Sequence, residues 1–353
     1  MEFETGILTP ERLEPLREYL EDDKITNIDW NGSELWIKTI FNQCYRVDPS
    51  ECRVTEDYID TLIANITNSK SQMFNIENNR LEVENEDLHI RITAVHESIA
   101  LNGNCLLIRK TTPKPRFTYN ELISSGYIKE EELNLLINCI VSGCNLIIGG
   151  IPEAGKSEFG KYLSLYIPDN QVVVTIEDAV EWYYKNLKPS AACIPLKVND
   201  RFTYSEAISL CMRLNPDRIL FTEARSAEVM DLITLWSTGV PGICTIHAGM
   251  YDKIPDRILN MMPTRRDADR LENNIYDNLD VGVIIKKKKN PDGTATRYVD
   301  QIGFYERENG INRSVDYMIK DRVVTDTLPK KILDKLEESG IKNPFLFPEE
   351  LRR

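Results

Sequence analysis

Residues 144–157 read CNLIIGGIPEAGKS, and their last eight form the string Gly150-Ile151-Pro152-Glu153-Ala154-Gly155-Lys156-Ser157. This fits G-x-x-x-x-G-K-S, the pattern of a phosphate-binding loop. The context carries as much weight as the letters. Leu146, Ile147 and Ile148 make a short apolar run suited to a buried strand, and Phe159, Leu163 and Tyr166 recur at helical spacing, predicting a helix over about 157–166. Strand, loop and helix in that order let successive backbone N–H groups curl around a polyphosphate while the helix N-terminus adds its positive end. Lys156 is then placed to reach β/γ oxygens, and the Ser157 hydroxyl to ligate Mg²⁺. The stretch implies a nucleoside triphosphate ligand.

Working outward, the chain alternates strand and helix signals. Strands are expected at Leu146–Ile148, Val172–Ile176, Arg218–Phe221 and Gly242–Ile246, and helices near 157–166, 204–214 and 226–238. That alternation predicts an α/β fold, a RecA-like P-loop NTPase domain with a mostly parallel sheet and flanking helices. Three strands end in groups that phosphate chemistry uses. Val172–Ile176 runs into Glu177 and Asp178; Arg218–Phe221 runs into Thr222 and Glu223, the Walker-B place; Thr245-Ile246 runs into His247, one of 3 histidines in the chain. Acids at the carboxyl edge of a parallel sheet sit where phosphates and metal gather. From about residue 251 the chain reads as helical, followed by a hairpin of Val283–Lys289 and Ala295–Tyr305 around Asn290-Pro-Asp-Gly293.

The first hundred residues read as a smaller α+β module. Thr9-Pro10-Glu11-Arg12 suits a helix start, with Leu13, Leu16 and Leu20 on one face. Ile28-Asp29-Trp30 and Leu35-Trp36-Ile37 flank Asn31-Gly32, a type I′ hairpin signal. A helix is expected from Glu56 to about Ser69 with Tyr58, Leu62, Ile63 and Ile66 inward, then strands at Arg80–Glu84, His89–Val95 and Cys105–Lys110. Two prolines in the basic stretch 110–116 favour an extended connector. The expected division is therefore 1–109, a 110–116 linker, and 117–353.

Bulk composition narrows the function classes. With 43 basic and 56 acidic residues among 353, the net charge is −13, a poor footprint for tracking a nucleic acid backbone. The 8 cysteines are scattered without a CxxC pair, which reads as reduced thiols with neither zinc site nor disulfide framework. The charged start MEFETGILTPERLEPL carries no signal-peptide pattern, and no window reaches the apolar length of a membrane span. A cytoplasmic protein is expected, with any membrane association peripheral.

Four segments, GGIPEAGKS, TIEDAVEW, LNPDRILFTEARSAEVMDLITLWSTGVPG and TIHAG, follow one another along the chain. They resemble the Walker A, Asp box, Walker B and His box of the secretion-superfamily traffic ATPases, closest to the type IV secretion and conjugation branch. HIRITAVHESIALNGNCLLIRK is similar to the segment that precedes the linker in those proteins, whose N-terminal domain is PAS-like. The resemblance implies ATP and Mg²⁺ as ligands, held by the loop residues Gly150 to Ser157 with Glu158. It implies Glu223 as the residue that polarises the attacking water, Glu177 as second choice beside Asp178, and His247 as the group at the γ-phosphate. Ser157 and Glu223 are implied at the metal, the latter directly or through water. Arg91 and Arg109 match arginines that reach nucleotide from the N-terminal domain, and Arg225 matches the arginine that follows the Walker-B glutamate, also implied at the nucleotide.

The same resemblance implies a homo-hexameric ring that works with membrane-embedded secretion or conjugation subunits at the inner face of the membrane, coupling turnover to motion between the domains. A tight-adherence pilus motor and a slow nucleotide-dependent switch are the alternatives; direct nucleic-acid binding is disfavoured by the charge. Three departures from the family pattern stand out. Ile151-Pro152-Glu153-Ala154 replaces a Thr-Gly-Ser-type core, Val240 stands where a histidine is usual, and Thr222 replaces a glycine. None removes a phosphate, metal or water ligand, and together they leave room for slow or partner-dependent turnover. Lys286–Lys289 reads as a solvated strand edge.

Overall fold

The computed structural model describes residues 13–263, 267–325, 327–348 and 351. The expected helix start at Thr9–Arg12 lies outside them. Contacts divide the chain into two units: one running to Thr112 and including Lys289–Thr296, the other comprising Pro113–Lys288 and the chain from Arg297 onward. The hairpin tip thus packs with the first unit, where Ala295 N donates to Phe41 O at 2.8 Å. The division expected from sequence, with the whole hairpin in 117–353, differs at this tip.

The first unit is an antiparallel sheet of six strands: β1 (Ile25–Trp30), β2 (Leu35–Thr39), β3 (Cys44–Arg46), β4 (Arg80–Asn85), β5 (Ile90–Val95) and β6 (Cys105–Lys110), in the order β3-β2-β1-β6-β5-β4. A short helix α1 (Arg17–Glu21) precedes the sheet, and α2 (Glu56–Lys70) covers it. The Thr55 side chain caps α2 by accepting from Tyr58 N at 3.2 Å. Ile59, Leu62, Ile63 and Ile66 are the buried stripe of α2, whereas Tyr58 is only half-buried, so the inward register starts one residue later than expected. The β1–β2 turn also differs. Only Gly32 takes positive φ, +98°, whereas a type I′ turn needs it at two central residues. Asn31 pairs with Glu34 across the turn, and its Oδ1 accepts from Ser33 N and Glu34 N, so Gly32–Ser33 are central instead.

The second unit holds nine strands: β7 (Leu146–Gly150), β8 (Val172–Glu177), β9 (Ala192–Lys197), β10 (Arg218–Ala224), β11 (Gly242–Ile246), β12 (Val281–Lys289), β13 (Ala295–Glu308), β14 (Ile311–Ile319) and β15 (Arg322–Val323). Their spatial order is β15-β14-β13-β12-β7-β11-β10-β8-β9, and every pairing from β12 to β9 is parallel. The mostly parallel sheet expected from the strand–helix alternation is present. All five residues of β7 are buried, as a central strand covered on both faces requires. Ile148 joins one core with the helices α3 (Tyr119–Ser124), α4 (Glu130–Val141), α5 (Lys156–Ser164) and, much later, α11 (Lys330–Glu338). Ile147 faces the other core, shared with α7 (Tyr204–Leu214), α8 (Glu228–Trp236), α9 (Ile254–Leu259) and α10 (Ala268–Asn278); the single turn α6 (Tyr184–Leu187) lies between β8 and β9. Strand β9 and helix α4 carried no signal distinct enough to be read from the sequence.

Lys286–Lys289 is not a sheet edge. β12 lies between β13 and β7, and its pairing with β7 stops at Ile285. Two of the lysines meet carboxylates, Lys286 Nζ at 2.7 Å from Asp300 Oδ2 and Lys287 Nζ at 3.4 Å from Glu153 Oε2, while Lys288 and Lys289 are exposed as expected.

Helix α5, which carries the phosphate-loop lysine, approaches the segment after β8 through Gly160. A Cβ at this position would meet the Trp182 ring at 2.6 Å, and Trp182 is fully buried. Gly160→Val is expected to cost about 1–3 kcal/mol by overpacking, read as a lower urea midpoint at unchanged m-value.

Candidate functional site

Strands β7, β11, β10 and β8 are adjacent and parallel, so their C-terminal ends open on one edge of the sheet. After β7 the chain must turn within Ile151–Gly155 to start α5 at Lys156. Two residues take left-handed conformations to do so, Glu153 at φ 61° and Gly155 at φ 93°. Gly150 permits the close passage to β12, since a Cβ there would lie 2.8 Å from Ile285 O. Ala154 N donates to Ile151 O at 3.2 Å, and Phe159 N to Gly155 O at 3.0 Å. The first N–H groups of α5, on Lys156, Ser157 and Glu158, are those an α-helix leaves without intrahelical acceptors. They form an anion-binding concavity with the loop.

A chain of contacts runs along the sheet edge from this loop. Lys156, 8% exposed, directs Nζ at Gly150 O (3.4 Å) and at His247 Nδ1 (3.1 Å). His247 Nδ1 is also 3.2 Å from Gly150 O, so the ring accepts from the lysine in one tautomer and donates to the carbonyl in the other. On the far side of the ring, Nε2 lies 2.6 Å from Glu223 Oε1. Arg225 Nε donates to Glu223 Oε2 at 3.0 Å, and its guanidinium reaches Asp178 Oδ2. Five of the residues expected at the site are thereby linked: Lys156, His247, Glu223, Arg225 and Asp178.

The aim of Glu223 has a backbone cause. Phe221 pairs with Cys244 and Ala224 with Ile246, so β10 holds one residue more than β11 across this interval. Such a bulge re-aims side chains. Thr222 fixes it by donating its hydroxyl to Ile176 O at 2.9 Å, while Thr222 O accepts from the Thr245 hydroxyl. Thr222 thereby ties three strands together.

Glu177 stands apart from this chain. Its carboxylate is 3% exposed, and Oε2 accepts from Glu181 N at 2.7 Å and Trp182 N at 2.8 Å. Burial pushes its pKa up to about 7 against the two backbone donors that favour its charge. The group shapes the turn behind Asp178 in this arrangement. Glu153, the acid within the loop, is turned toward Lys287. Glu158 Oε1 accepts from Lys161 Nζ at 2.8 Å. In the first unit, Arg91 and Arg109 are direct cross-strand partners of β5 and β6, on one face of the sheet, with Arg91 3.2 Å from Glu84 Oε1. Glu84, the cross-strand partner of Arg91 on β4, offsets part of the repulsion between these like charges.

Sequence reasoning missed Arg297. Its Nε donates to Glu153 O at 3.2 Å, and its Cδ would lie 3.4 Å from a Cβ on Gly155. Nothing local marks this residue; only the placement of β13 two strands from β7 brings it to the loop.

As to metal, no group of three or more His, Cys, Asp or Glu side chains forms a cage among the described residues. The donor set suits Mg²⁺ held mainly by phosphate and water, with one hydroxyl and one carboxylate from the protein.

The family model described as type II/IV secretion system protein matches residues 69–323. An uncharacterised protein of Bacillus anthracis is 26% identical over 328 residues, 89% of this chain and 73% of its own length. The probable conjugal transfer protein TrbB of Sinorhizobium fredii is 25% identical over 224 residues, 58% of this chain and 66% of its length. The solved structure of the Legionella pneumophila ATPase DotB matches 88% of this chain and 84% of its own with a TM-score of 0.59 at 16% identity, a likeness of fold.

Glu177 makes the site's stability pH-dependent. Its pKa is about 7 in the fold against an ordinary value of 4.5, so the native state binds the proton more tightly between those values. Its contribution therefore favours folding at pH 5 and is lost as pH rises through about 7. Glu177→Gln is expected to gain about 2 kcal/mol over wild type at pH 8 relative to pH 5, measured by urea unfolding at both pH values.

Proposed function

Because the chain belongs to the type II/IV secretion system protein family, we propose that it is an Mg-ATP-hydrolysing motor of a type IV secretion or conjugation apparatus. The observation that carries this reading is the contact chain Lys156–His247–Glu223–Arg225–Asp178 on one edge of the sheet, beside a left-handed phosphate loop. Mg²⁺ held by Ser157 and, through water, by Glu223 would offset charge on the phosphates.

Each residue then has one task. Loop N–H groups and Lys156 bind and orient the phosphates; a loose phosphoryl transition state responds mainly to such positioning and to positive charge. Glu223 orients the attacking water and takes up its proton. His247, bonded to that carboxylate and to Lys156, holds both in register with the γ-phosphate. Arg225 keeps Glu223 and Asp178 at fixed separation. Arg91 and Arg109, cross-strand partners on β5 and β6, add positive charge against phosphate. Turnover would drive motion about the 110–116 stretch in a homo-hexameric ring that docks on membrane-embedded subunits from the cytoplasmic side. The TrbB relative, named as a conjugal transfer protein, supports conjugation over pilus assembly.

A slow nucleotide switch is the second reading, favoured by the acid Glu153 inside the loop. Lys156→Ala is expected to abolish ATP binding by calorimetry, and wild-type protein that binds no ATP would sink both readings. Glu223→Gln is expected to keep ATP affinity while lowering kcat by about 10²–10³-fold, the magnitude seen when a group acting mainly in the transition state is removed. Wild-type phosphate release no faster than that of Glu223→Gln would select the switch. Glu153→Gly removes a negative charge and a non-glycine positive φ; ATP should bind roughly two- to threefold tighter.

A further inference from the structure

The contacts described so far cluster on the β11 and β10 side of the loop, around Lys156 and His247. On the opposite side, two arginines outside every recognised motif converge. Arg297, from β13, crosses the loop: its Nε donates to Glu153 O and its stem lies against Gly155. Arg116, from the segment before α3, approaches the first turn of α5, with Nε 3.9 Å from Glu158 Oε2. Arg116 Nε is buried yet has no hydrogen-bond partner among the described residues. Glu158 gives its other oxygen to Lys161 and so neutralises Arg116 only in part.

The two guanidinium groups are close enough to repel. Burial first, and the Arg116 charge as well, lower the pKa of Arg297, while Tyr127 and Glu153 act the other way. Burying like charges together is costly unless an anion meets them. The loop's own acid does not fill that role alone, because the Glu153 carboxylate is also engaged by Lys287.

We propose that Arg297, seconded by Arg116, is a nucleotide-binding residue that engages the α/β-phosphates of ATP or ADP from the nucleoside side of the loop. The inference rests on the nucleotide reading of the site. The loop's geometry sets the direction: lysine and histidine lie toward the γ end, while the N–H groups of the loop and of the α5 start cradle the α- and β-phosphates. Planar guanidinium groups suit paired phosphate oxygens better than a lysine does.

The test is equilibrium titration of the full chain with a fluorescent ATP and a fluorescent ADP, for wild type, Arg297→Gln, Arg297→Lys and Lys156→Ala. Arg297→Gln should weaken both nucleotides by roughly tenfold or more, as loss of a charge-assisted hydrogen bond does. Arg297→Lys, which keeps the charge but not the planar fork, should recover only part of that loss, and the melting temperature without nucleotide should stay within a few degrees for both variants. Equal affinity of Arg297→Gln and wild type overturns the proposal. So does equal weakening by Gln and Lys, which marks Arg297 as a brace for the loop, or a loss confined to ATP, which moves it to the γ side. Wild type that binds neither nucleotide overturns the site reading itself, and the proposal falls with it.

Discussion

Because β7, β11, β10 and β8 pair in parallel, their carbonyl ends leave the sheet on the same side, and everything chemical follows from that shared exit. Residues distant in sequence, Lys156, Asp178, Glu223 and His247, are brought to one edge without any loop having to search for another. The imidazole of His247 then spans the gap between the loop lysine and the Glu223 carboxylate. Its two nitrogens face opposite partners, so moving either neighbour disturbs the other. A bulge in β10, pinned by the buried hydroxyls of Thr222 and Thr245, gives Glu223 its direction.

The phosphate loop shows how one fold tolerates an unfavourable residue. Glu153 occupies a left-handed backbone position that glycine adopts at less cost, and it adds negative charge beside an anion site. Lys287 draws the carboxylate aside, and Arg297 holds the adjacent carbonyl. Both helpers come from β12 and β13, strands that follow the recognisable motifs in the chain. The compensation is tertiary, and it explains why a basic run that looked like a solvated strand edge lies inside the sheet order instead.

Glu177 illustrates a different division of labour. Its position after an apolar strand invites a catalytic role, yet here the carboxylate is buried and spent on the N–H groups of Glu181 and Trp182. Those bonds shape the turn that presents Asp178 to Arg225, while the Trp182 ring lies against Gly160 in α5. The loop helix and the acidic turn are thus packed as one body.

The sequence by itself determined the strand–loop–helix unit that begins at 144, the parallel character of its sheet, the places of five of the six strands of the first unit and the identity of the groups at the sheet edge. These are legible because periodicity and glycine chemistry are local: an apolar triplet, a G-x-x-x-x-G-K-S spacing and a turn-flanked alternation each specify backbone within a few residues. Only the tertiary structure decided that Glu177 faces inward while Glu223 meets His247, that Gly32–Ser33 centre the first hairpin turn, and that Arg297 and Arg116 flank the loop. Side-chain aim depends on bulges, and neighbours from remote strands depend on sheet order. Both are set by packing across the whole domain, which no window of residues contains.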